Sequence, residues 1–118
     1  MISDEEYERS AFQVVPIASL PATGVDLVGW PGARVDWRSV TRVAIAIFNA
    51  GVDPLDASAI QEEVAAARLH RRDRSWAIEL FMDPIAIYAV SQRWSNGRHR
   101  VAAMKRADVP ECLLKILT

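Results

Sequence analysis

The chain has 118 residues, 51% of them hydrophobic and 25% charged, which suffices for one buried core and is too apolar for a disordered chain. One cysteine excludes an intramolecular disulfide, and with two histidines it leaves too few ligands for a closed zinc site. The net charge of −1 is unevenly spread: residues 1–63 carry ten acids and four bases (−6), residues 64–118 five acids and ten bases (+5), so either the C-terminal half meets an anionic partner or the halves neutralise each other within one fold.

The acidic start "ISDEEYER" reads as a flexible tail over residues 1–12, leaving a single domain over 13–118. It lacks the basic-then-apolar pattern of a signal peptide, and no apolar run approaches the ~20 residues of a membrane span, so a cytoplasmic protein without membrane contact is expected. "QVVPIASL", residues 13–20, is rich in β-branched side chains and closed by Pro21, which predicts a first strand. A loop punctuated by Gly and Pro follows, "PATGVDLVGWPGARV".

Asp36 suits the N-cap of a helix running to about Asn49, with Trp37, Val40, Ala44, Ile47 and Phe48 on one stripe and Gly51 beyond its end. Its "VAIAIF" segment is equally rich in strand formers. Asp53-Pro54 signals a second helix, with Ile60, Val64 and Ala67 as a narrow core face, ending in "RLHRRDR". There Arg71, Arg72 and Arg74 either complement the negative end of the helix dipole or supply contacts to an anion. His70, within a charged run, reads as a solvated side chain.

"SWAIELFMDP" suggests a short buried element through Trp76, Leu80 and Phe81, stopped at Asp83-Pro84. "IAIYAV" has strand length and composition, "RWS" follows after "SQ", and the pair reads as a hairpin feeding a helix from about Gly97 to Ala107. Asn96 suits the N-cap of that helix, Val101 and Met104 its buried face, and Asp108 with Pro110 its end. "VPECLLKIL" returns as a final strand with Cys112 as a buried thiol, so the fold class is α+β: a small mixed sheet with packed helices.

The helix begins with Arg98, His99 and Arg100, although the partial positive charge of its unpaired amides disfavours cations by ~0.3–1 kcal/mol each. A bound phosphate would reverse the sign of that conflict, because free amides at a helix start form an anion site and the cations reinforce it. The other reading has the three side chains in solvent or paired with carboxylates. Arg100 distinguishes the two: as a ligand contact it is dispensable to the free protein, as the anchor of an internal carboxylate it is not.

The order of an apolar strand, a short strand, "NGRHRVAA" and "VPECLLKI", with "VVPIASL" before it and "IQEEVAAAR" preceding Pro84-Ile85, resembles the ParB/sulfiredoxin superfamily. The resemblance covers residues 84–116 well and residues 21–83 loosely. In that superfamily a Gly-x-(His or Arg)-Arg turn holds nucleotide phosphates, and it corresponds here to Gly97, Arg98, His99 and Arg100, with Asn96 completing the expected phosphate-binding turn 96–100. Arg98 stands where sulfiredoxins carry their cysteine nucleophile and where the box of ParB CTP-binding domains carries an acid. Neither peroxiredoxin repair nor a partition clamp is therefore expected, the latter also because nothing after Thr118 supplies helix-turn-helix and dimerisation parts.

The resemblance implies a nucleotide or a phosphorylated small molecule as ligand, with a nucleoside triphosphate and Mg²⁺ as the cofactor class and NTP hydrolysis or phosphoryl transfer as the accompanying chemistry. Such chemistry is mostly positioning and charge neutralisation, with an acidic residue for the metal or nucleophile. Glu62, Glu63, Glu79 and Asp83 are the acids nearest in sequence, and none lies in a recognisable motif. A second reading, from a different class, keeps the fold as a non-catalytic module that binds DNA or a protein. A second copy of the chain is also an allowed partner.

Overall fold

A computed structural model describes residues 2–118. Five helices and four strands follow in the order α1 (Asp4–Ala11), β1 (Phe12–Pro16), α2 (Trp37–Asn49), α3 (Ala57–Ala66), α4 (Arg74–Met82), β2 (Ala86–Tyr88), β3 (Trp94–Asn96), α5 (Arg98–Arg106) and β4 (Glu111–Leu117). The α+β class and the small mixed sheet expected from the sequence are what forms. The strand order is β1-β4-β2-β3; β4 runs antiparallel to β1 and parallel to β2, and β2 is antiparallel to β3.

β4 is the central strand that the continuous run "CLLKIL" implied. Cys112, Leu113 and Leu114 are all fully buried, and since consecutive side chains point to opposite faces, both faces of the sheet are covered here. The parallel pairing of β2 with β4 requires a crossover, which β3 and α5 supply. α2 packs on β4 and α4, and α3 packs on α4. Among the described residues no helix is long and apolar enough to cross a membrane.

α2 begins where its sequence predicts. Asp36 caps it by accepting from the amide of Ser39 at 3.1 Å and from its hydroxyl at 2.8 Å, and Trp37, Val40, Ala44 and Ile47 are buried along one face while Phe48 is half-buried. Its β-branched run stays helical because this stripe has a sheet to cover.

Four expectations need correction. Residues 4–11 are helical, not a tail: Ser3 and Glu6 form a capping box, Ala11 and Phe12 are buried, and Glu8 pairs with Lys115 of β4. The first strand is shorter than residues 13–20, ending at Pro16 before a 3-10 turn over Ile17–Ser19. α3 is capped by Asp56 and not by Asp53, because the Asp53 carboxylate is engaged by the Leu55 amide at 2.9 Å and the Arg9 guanidinium at 3.0 Å. It ends at Ala66, with Ala67 already extended and half-buried.

The fourth correction concerns the arginine run. Arg71 and Arg72 lie in a 3-10 turn over Arg71–Asp73, and Arg74 opens α4. All three thus stand ahead of or at a helix start, where the dipole disfavours them, and not at the favourable C-terminal end. His70 is exposed as expected, yet its Nδ1 accepts from the Arg72 amide at 3.2 Å and caps the turn.

The Ser39 hydroxyl and amide hold the Asp36 carboxyl below its ordinary value of 3.8. A carboxyl with a lowered folded pKa stabilises fully above its unfolded value and loses that contribution as pH falls through the folded one. Asp36→Ala should therefore cost ~0.5–2 kcal/mol at neutral pH in urea melts. The gap to the parent should close progressively below about pH 3.8.

Candidate anion site at the start of helix α5

Gly97 links β3 directly to α5. Its φ of 92° lies in the left-handed region, and a Cβ there would stand 2.7 Å from Ile85 Cγ1 and 3.0 Å from Ile85 Cα. Both conditions demand glycine. Glycine at the cap has no side chain with which to bond the helix start. The ladder begins with the Val101 amide donating to the Gly97 carbonyl at 3.1 Å, so the amides of Arg98, His99 and Arg100 precede the first intrahelical bond.

Asn96 does not cap α5, contrary to expectation. Its Nδ2 donates to Asp83 Oδ1 at 2.8 Å and to the Pro84 carbonyl at 3.0 Å, tying the turn to the entry of β2. Asp83 is held from the other side by Arg100, whose guanidinium lies 4.0 Å from Asp83 Oδ2 and donates to the Glu79 carbonyl at 3.4 Å. Arg100 is only 6% exposed. Burial lowers its pKa, an effect opposed by Asp83 and Glu79. The second of the two sequence readings thus fits this side chain: Arg100 anchors a carboxylate and brackets the end of α4 to the start of α5.

Cys112 lies in the same region of the core, its thiol pushed up to about 12 by burial and only partly relieved by Arg100. It is the inert buried thiol the sequence suggested.

Arg98 and His99 face outward. With Tyr88, Arg93, Trp94, Ser95, Asn96 and Gly97 they line an open groove of about 570 Å³. Among the described residues Arg93, Arg98 and His99 form no salt bridge. The His99 ring stacks on Trp30 at 5.7 Å, and Trp30 in turn stacks on Trp37 at 6.0 Å and meets Trp76 edge-on at 5.5 Å. The histidine is oriented by this aromatic column. Trp94 is fixed by its indole N–H donating to the Ala22 carbonyl at 3.0 Å.

Of the sequence-derived residues, Asn96, Gly97, Arg98 and His99 share the groove and Arg100 lies beneath it. Arg71, Arg72 and Arg74 do not line it. Arg72 borders a separate recess with Arg34 and Trp76, joined to the turn through the Trp76–Trp30–His99 contacts. Glu79 is exposed and contributes its backbone carbonyl, while Glu62 and Glu63 lie on α3. Reading the sequence missed Arg93, Trp94 and Tyr88, whose only local signal was a hairpin strand running into the glycine. No family model, curated protein or solved structure matches this chain.

Arg100→Ala should destabilise the ligand-free protein by about 1–3 kcal/mol in urea melts, since the Glu79 carbonyl loses its donor and Asp83 its ion-pair partner. Arg100→Met, which keeps the apolar stem volume, should cost less.

Proposed function

We propose that the chain binds a phosphate-bearing ligand, a nucleotide or phosphorylated small molecule, with a phosphate seated on the amides of Arg98, His99 and Arg100. The observation that carries this reading is a helix start without a capping side chain, bordered by outward-facing Arg98, His99 and Arg93 that form no salt bridge among the described residues. Cations at the positive end of a helix are unfavourable alone and favourable around an anion. The resemblance to the ParB/sulfiredoxin superfamily supports the same residues and the nucleotide class.

In this reading the roles divide by burial. Gly97 gives the close approach, Arg98 and Arg93 neutralise charge from outside, His99 adds an oriented ring, and Arg100 positions the turn from below. Mg²⁺ with a nucleotide is commonly held by one or two carboxylates plus the phosphates, and Asp83 is the carboxylate bonded to this turn. Hydrolysis or phosphoryl transfer would use Asp83 to place that ion or a nucleophile.

A surface that binds DNA is the second reading, favoured by the absence of salt bridges at Arg71, Arg74, Arg93 and Arg98 among the described residues. A thermal-shift panel of CTP, ATP, ADP and GTP with and without Mg²⁺ separates the two, because a ligand at 100 times its dissociation constant stabilises by about 2.7 kcal/mol. A shift with at least one nucleotide is expected, together with a roughly ten- to hundredfold affinity loss in Arg98→Ala from the missing charge-assisted contact. No shift with any nucleotide, alongside duplex DNA binding that weakens with salt at a slope of about −0.9 per neutralised phosphate, would favour the second reading.

A further inference from the structure

A second recess, sharing no residue with the groove at the turn, lies between α2 and the start of β4. Its volume is about 420 Å³, within the range of small-molecule sites. Ile45, Ala46, Val109 and Pro110 supply apolar lining. Arg38 and Arg42, one helical turn apart on α2, line it with exposed side chains. Among the described residues neither arginine forms a salt bridge, and Glu111, which also lines the recess, pairs with neither.

Thr41 makes this recess more than an apolar gap. It lies between the two arginines in sequence, lines the recess and is 1% exposed. Its Oγ1 is buried without a hydrogen-bond partner among the described residues. A buried hydroxyl is nearly always paired, and an orphan asks for a partner from outside. In a helix its usual partner is the carbonyl four residues back, and that bond is not made here.

We propose that this recess binds a small amphipathic organic anion. Its apolar body lies on Ile45, Val109 and Pro110, and its carboxylate or phosphate head lies against Arg38 and Arg42, accepting from the Thr41 hydroxyl. The apolar lining sets the body, the two guanidinium groups set the charge, and the hydroxyl, a donor with nothing to donate to, sets where the head sits.

Isothermal titration of the full chain with octanoate and with octyl phosphate tests this, with octanol and acetate as controls. Single-site binding of at least one anion is expected, tenfold or more tighter than either control, and the better anion identifies the head group. Arg38→Ala with Arg42→Ala should abolish that advantage over octanol. Thr41→Val should raise the melting temperature, because the orphan hydroxyl is gone, and should weaken anion binding by about three- to tenfold. Binding of neither anion, or equal binding of octanol and octanoate, overturns the proposal. So does a Thr41→Val protein that melts earlier and binds as before, since the hydroxyl would then serve the fold alone. Should Thr41→Val not fold, the double arginine variant, altered only at exposed positions, decides between these outcomes.

Discussion

The contact between Gly97 and Ile85 is the constraint on which the candidate site depends. A backbone at φ 92° with Ile85 packed against the place of a Cβ lets β3 turn into α5 through the single residue Gly97. The position therefore accepts only the residue that has no side chain with which to cap. Capping residues normally satisfy one of the first amides of a helix; here close packing excludes them, and the amides remain available. The openness of the helix start follows from packing beneath it.

That packing is reinforced by polar bonds that cross the fold. Asn96, Asp83 and Arg100 join β3, the end of α4 and α5 through one carboxylate. Arg100 is buried while Asp83 remains largely exposed, its side chain 66% accessible, so the carboxylate keeps much of its hydration and the desolvation falls on the guanidinium. On the other side the loop before α2 is tied down by α5: Lys105 donates to the Pro21 carbonyl and Arg106 to that of Ala33, at 3.3 and 2.6 Å. Trp30 of the same loop then meets His99. A turn held from both sides keeps its amides in one geometry without a ligand, which lowers the ordering cost of binding.

Much of the fold was legible because local signals agreed. α2 had a cap, a stripe and a terminating glycine; β4 had an unbroken apolar run of strand length; Gly97 with an amphipathic run after it marked α5. Where signals competed, the sequence could not arbitrate. Asp53 and Asp56 both suit a helix cap, and Arg9, 44 residues away, engages the first. Asn96 and Gly97 both suit the start of α5, and Asp83 draws Asn96 away. The capping box at Ser3 and Glu6 was present in the acidic start but outweighed by its charge. The inward course of Arg100 depends on a carbonyl 21 residues earlier, which no local pattern encodes. "RRDR" resembled a helix end only because α3 was expected to reach it.

In the proposed function the first amides of α5, and not merely its arginines, receive the anion. The most direct measurement is a titration with inorganic pyrophosphate followed by amide ¹H–¹⁵N shifts. Saturable changes are expected, largest at Arg98, His99 and Arg100 and persisting in reduced form in Arg98→Ala because the backbone donors remain. Changes confined to side-chain guanidinium signals, or spread along Arg71, Arg72 and Arg74 with the α5 amides unmoved, would contradict it.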